Sequence, residues 1–234
     1  MSYDIFILSL STISIGFIHT ILGPDHYLPF IAIAKAKQWT HKKTALITFI
    51  CGLGHVLSSF IIALLGILLG LSLEKLDLIE GYRGSIAAWI IITFGFIYFI
   101  WGITYIVRNK QHTHYHIHNT TFHVHQHNHH DSHIHIHHGE KSITPWVLFI
   151  IFIFGPCEPL IPMVIYPVSQ NHFGQAVFVS LLFSLTTITT MLTVVIISSY
   201  GLSLLSFNRF EKYSHAISGL IIFLCGIGIQ FLGL

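Results

Sequence analysis

The sequence predicts an all-α integral membrane protein of six transmembrane helices, arranged as two inverted three-helix repeats with spans 1 and 4 broken at Gly-Pro. Three observations lead there. Mean hydropathy is +0.73 with only 9% charged residues, where a soluble domain carries about 25%. Six apolar segments are each long enough to cross roughly 30 Å of hydrocarbon. A Gly-Pro followed by two polar residues occurs twice inside apolar runs, at Gly23-Pro24-Asp25-His26 and Gly155-Pro156-Cys157-Glu158.

The six segments fall near 5–34, 44–72, 84–107, 145–168, 174–205 and 215–233. The first, second and fifth exceed the minimum, which allows tilt or a break. The amino terminus has Asp4 and no basic stretch before the first apolar run, so no cleaved leader is expected. Lys35, Lys37, Lys42 and Lys43 follow span 1, Arg108, Lys110 and Lys141 separate spans 3 and 4, and Arg209 and Lys212 separate spans 5 and 6. Only Lys75 and Arg83 fall on the other side. This bias puts the basic connections in the cytoplasm and both termini outside a plasma membrane. The formal net charge of +2 arises from topology and implies no nucleic-acid partner.

The Gly-Pro sites are 132 residues apart, and both are followed by leucine and proline, Leu28-Pro29 in one and Leu160 and Pro162 in the other. The same offset carries Gly54-His55-Val56 onto Thr186-Thr187-Ile188 and superimposes spans 3 and 6. Three spans per half is an odd number, so the second half is expected inverted, with residues 1–110 and 142–234 as the repeats. Broken helices of this kind free backbone groups at membrane depth.

Gly16 to Phe30 places His19, Asp25 and His26 in an apolar run. An ionisable residue at that depth costs about 2.5–3.5 kcal/mol on insertion scales, so the Asp-His pair reads as an ion site. The competing reading is a plain kink with a histidine at the interface. His55 shares a helical face with Cys51, Ser58 and Ser59, between Gly52 and Gly54, and Gly66-x-x-x-Gly70 is a small-residue packing signal. Thr186, Thr187, Thr189 and Thr190 could offer oxygen, although membrane threonines more often bond their own backbone. Met191 and Cys157 are soft donors, otherwise packing. Cys51, Cys157 and Cys225 lie far apart and form no CxxC, so neither a disulfide framework nor a cysteine zinc site is expected. Glu158 is the one acidic residue between Lys141 and Glu211. With Cys157 and Thr187 it is assigned a supporting or proton-coupling role.

Residues 111–141 are expected to be a disordered cytoplasmic loop. It carries His112, His114, His116, His118, His123, His125, His127, His129, His130, His133, His135, His137 and His138. These read as a capture surface for transition-metal ions, because neutral imidazole ligates zinc, nickel, copper and cobalt. The alternation would suit a strand, but nothing in the tract would bury one face of it.

HTILGPDHYLPF resembles the histidine and Asp-His signature of the nickel/cobalt transporter superfamily. GPDHYLPF looks like its urease-accessory and hydantoin-utilisation members, and a histidine-rich loop after span 3 looks like its efflux branch. Five residues separate His19 from Asp25 here, against four in that signature. Resemblance and residue chemistry together imply a secondary transporter or facilitator. Its cargo would be a divalent ion, nickel or cobalt before zinc, bound by His19, Asp25, His26 and His55. No catalytic residue, no catalytic cofactor and no ATP-binding motif is expected, and a cytosolic metallochaperone is the protein partner such a chain would suit. Two other classes compete. A membrane metalloenzyme of the desaturase kind would place several HxxxH boxes at span ends, where this chain has isolated core histidines. A thiol relay related to cytochrome c biogenesis factors shares six spans and Gly-Pro breaks but would want a cysteine in both, where this chain has Cys157 in one and Asp25 in the other.

Overall fold

A computed structural model describes residues 3–108, 112–118, 121–127, 143–204 and 211–233. The chain runs α1 (Tyr3–Leu22), α2 (Leu28–Ala36), α3 (His41–Leu68), α4 (Leu73–Arg108), β1 (His112–His118), β2 (Thr121–His127), α5 (Thr144–Phe154), α6 (Leu160–Ser169), α7 (Phe173–Leu204) and α8 (Ser214–Ile227), with a π-helical end at Gly228–Leu232. Among the described residues five helices, α1, α3, α4, α7 and α8 with its π-helical end, are long and apolar enough to cross a membrane, while α5 and α6 are shorter apolar helices. Large apolar side chains such as Leu22, Leu68 and Leu181 stay exposed on the outer faces, as lipid contact requires. The protein is a multi-pass membrane protein.

Both Gly-Pro sites interrupt a helix. Gly23 takes an extended conformation (φ −85°, ψ 96°), Pro24 starts a single 3-10 turn, and Pro29 sits in the first turn of α2 where its missing N–H costs nothing. At the second site Gly155 is again extended (φ −60°, ψ 130°) and Pro159 caps α6. At the end of α3, Gly70 adopts a left-handed φ of 64° and the Leu71 N–H returns to the Gly66 carbonyl. Gly70 therefore terminates the helix, while Gly66 is the packing glycine of the pair, its missing Cβ leaving room for Leu76 of α4.

The helices pair along a few seams. The closest runs between α4 and α8, where a Cβ on Gly95 or Gly102 would strike the backbone of Phe223 or Ala216, and one on Gly219 would strike that of Phe99. Small residues on both sides let the two backbones touch. Elsewhere α1 lies on α7, α5 on α3, α2 on α8, and α6 on α7, with further contact from α6 to α3 and α4. One buried apolar cluster gathers Phe30, Ile33, Leu148, Phe152 and Met191 beside both breaks. A second gathers Val56, Cys157, Leu160, Ile161 and Phe183.

Two expectations are corrected here. The third span does not begin at 84 but at Leu73, so Glu80 and Arg83 lie inside α4, buried. Within the histidine-rich tract, β1 and β2 pair antiparallel, with His112 opposite His127, His114 opposite His125 and His116 opposite His123. The period-two alternation thus lies on two paired strands, where no strand was expected. His129, His130, His133, His135, His137 and His138 lie outside the described residues.

Candidate functional site

The two breaks converge on one cluster. His19, near the end of α1, and His26, in the turn after it, have ring centroids 4.8 Å apart. His26 and His55 of α3 have theirs 5.0 Å apart, with the rings at 90°. Cys157, at the second break, puts Sγ 3.9 Å from His19 Nε2. His26, His55 and Cys157 are buried, His19 and Asp25 half-buried. A cavity of about 700 Å³ runs from His19, Asp25, His26 and His55 past Pro156 to Ser85 and Gln230. All four residues expected from the sequence as ligands thus meet at one place.

Hydrogen bonding fixes the tautomers of two of the rings. His26 Nδ1 lies 3.0 Å from Asp25 Oδ1 and 3.1 Å from the Gly23 carbonyl, both acceptors, so Nδ1 carries the proton. His55 Nδ1 faces the Phe152 carbonyl at 3.3 Å, with the same consequence. In the neutral rings the Nε2 atoms of His26 and His55 are then lone pairs, and both atoms are buried without a hydrogen-bond partner among the described residues. Asp25 orients His26 from behind. Its carboxylate is engaged with the ring nitrogen, not pointed alone into the cavity.

The second break is held by a buried ion pair that sequence reasoning missed. Glu80 and Arg83, one helical turn apart on α4, pair with each other. Glu80 Oε2 accepts the Cys157 backbone N–H at 3.2 Å. Arg83 donates to the carbonyls of Phe154 and Gly155 and to the hydroxyls of Ser58 and Ser59. The backbone groups freed by Gly155-Pro156 thus find partners away from water, and the Cys157 amide is pinned. The opposite charges three residues apart were the only sequence signal, and charged neighbours at Glu74, Lys75 and Asp77 made the stretch read as a solvated connection.

The remaining expected residues divide. Glu158 lines the cavity but is exposed. Thr187 is fully buried, its hydroxyl has no hydrogen-bond partner among the described residues, and it does not line the cavity. Thr186, Thr189 and Thr190 bond carbonyls one turn back on α7. Met191 packs on Gly52. Cys51 and Cys225 sit inside α3 and α8 as free thiols.

Compared with known protein families, residues 29–228 match the cytochrome C biogenesis protein transmembrane region. The chain belongs to that family. Neither curated proteins nor solved structures supply a match. Membership in the cytochrome C biogenesis transmembrane family corrects the expected kinship with nickel/cobalt transporters, and with it the expectation of nickel, cobalt or zinc transport. The likeness to those transporters rested on His19 to Phe30, which lies almost wholly ahead of the matched residues, and on a histidine-rich loop after span 3, which is a feature of composition. Gly-Pro breaks answer the same physical need in any family that frees backbone groups at membrane depth.

Proposed function

We propose that the protein is a membrane-embedded thiol relay of the cytochrome c biogenesis kind, with Cys157 as its working thiol. The observation that carries this reading is the placement of Cys157. Of the three cysteines it alone lies in a helix break, and His19 Nε2 stands 3.9 Å from its sulfur. The thiolate is the reactive form, and a neighbouring imidazole takes the proton.

One thiol cannot hold two electrons as an internal disulfide, so the exchange runs through partners. The Cys157 thiolate attacks a partner's disulfide. One S–S bond breaks, a mixed disulfide forms, and the partner's other sulfur leaves as a thiolate that takes up a proton. One thiol of a second, dithiol partner then attacks the Cys157 sulfur, which frees the first partner fully reduced, and that second partner's other thiol attacks its own sulfur in the new mixed disulfide, closing its disulfide and releasing the Cys157 thiolate. Two electrons pass from the second partner to the first, and the chain itself returns unchanged. Asp25, at the place where a second cysteine would stand, holds His26 in position.

The relay needs access from both sides, which a six-crossing inverted repeat supplies. Its support is the element bounds: α1 and α5 end at Leu22 and Phe154, α2 and α6 begin at Leu28 and Leu160, and α3 and α7 begin at His41 and Phe173. Each pair differs by 132 residues. End to end, α5 and α6 rise about 30 Å at 1.5 Å per residue, enough for a sixth crossing. The charge bias favours a plasma membrane with both termini outside and the β1–β2 ladder as a cytoplasmic metal-capture surface.

The test is reconstitution. Vesicles holding the protein, a reduced dithiol protein outside and a disulfide protein inside, are expected to reduce the inner disulfide. Cys157→Ser should abolish this, and Cys51→Ser and Cys225→Ser should leave it within about twofold. Transfer that persists in Cys157→Ser would remove Cys157 from the pathway.

A further inference from the structure

We propose that Cys157, His55 and His19 form a binding site for one tetrahedral transition-metal ion of the zinc(II) class, with His26 as the fourth donor. One donor atom from each of His19, His55 and Cys157 lies within 4.8 Å of the other two. A zinc ion takes sulfur at about 2.3 Å and imidazole nitrogen at about 2.0–2.1 Å, which places tetrahedral sulfur and nitrogen donors about 3.6 Å apart. The Cys157 to His19 separation of 3.9 Å is already close, and the His26 ring stands between those of His19 and His55, with centroids 4.8 and 5.0 Å away.

The second, independent observation is the state of the rings. His55 and His26 are 1% and 2% exposed, and the Nε2 of each has no hydrogen-bond partner among the described residues. Their Nδ1 atoms are committed to the Phe152 carbonyl and to Asp25, the arrangement that orients metal-binding histidines. Buried polar atoms left bare are costly, and an ion removes that cost. Glu80 fixes the backbone of the sulfur donor. Two or three imidazoles with a thiolate select zinc-like or softer ions, while calcium and magnesium would demand oxygen. The inference goes beyond the relay and bears on it, because one sulfur cannot at once bind metal and join a mixed disulfide.

Cobalt(II) serves as the probe, because loop histidines can bind it but cannot produce a thiolate-to-cobalt charge-transfer band. Metal-stripped full-length protein is titrated with cobalt(II), and the near-ultraviolet band is expected to saturate at the intensity of one thiolate per chain. Cys157→Ser should lose the band, Cys51→Ser should keep it, and His55→Ala should weaken cobalt binding at least tenfold. A missing band, or one unchanged in Cys157→Ser, overturns the site. A measurement without substitution guards against misfolding: zinc should slow alkylation of wild-type Cys157 at least tenfold and a chelator should restore it. Equal rates with and without zinc overturn the site as well. The titration contains no partner protein, so this site and the relay fail independently.

Discussion

A methyl group on Gly23 would sit 2.5 Å from His26 Nδ1 and 2.9 Å from Asp25 Oδ1, so the pair can close only over a glycine. Gly23→Ala is therefore expected to displace the His26 ring while the chain still inserts. The cobalt affinity of the core should fall about tenfold, measured through the thiolate band, and an unchanged affinity would release His26 from the site. Gly155 is placed alike, its missing Cβ facing His55 Nδ1 at 3.1 Å. The ion pair behind Cys157 behaves differently. Removing one partner strands a buried charge, which costs about 3–5 kcal/mol, whereas replacing both with apolar residues of similar volume is often neutral. Arg83→Met should lower the unfolding midpoint in detergent, and Glu80→Met with Arg83→Met should recover much of the loss. Equal loss in the single and double variants would mean that the hydrogen bonds to Phe154 and Gly155, not the charge balance, hold the break. The sequence made His19, Asp25, His26 and His55 visible because each stands alone among apolar residues. It hid the contact of Cys157 with His19, which depends on two breaks 132 residues apart meeting in space.

Among the elements, the broken helices were legible because proline and glycine act locally. The start of α4 was not, since its first turn carries charges that a hydropathy reading assigns to water. The α4–α8 seam shows what such a reading omits: glycines at Gly95, Gly102, Gly219 and Gly226 mark contact with another backbone, but sequence does not say whose. A side chain at Gly219 must push Phe99 away. Gly219→Leu is expected to cost about 1–3 kcal/mol as an overpacked substitution, read as a lowered unfolding midpoint. Stability equal to wild type would place the seam elsewhere. The β1–β2 pairing was missed for the opposite reason, because the tract offers no apolar face, the usual sequence signal of a strand. Replacing the histidines of 112–138 with glutamine should lower the number of zinc ions bound per chain by several and leave the cobalt–thiolate band intact. Loss of that band would tie the ladder to the core.

For the whole molecule, hydropathy and charge were enough to reach a multi-pass membrane protein, since lipid imposes its composition on any chain that crosses it. Family was not legible from Gly16 to Phe30, because a short polar motif at a helix break serves several chemistries. Over residues 29–228 the chain belongs with cytochrome c biogenesis transmembrane proteins, and within that frame one sulfur, Cys157, carries the proposed function. The most direct measurement is mass spectrometry on protein taken from cells whose free thiols are blocked with acid and alkylating agent before lysis. The account predicts that a fraction of Cys157 is found disulfide-linked to a peptide of another protein, and that Cys51 and Cys225 carry only the alkyl group after denaturation. Cys157 found fully as the free, alkylated thiol, under conditions that trap other mixed disulfides, would contradict it.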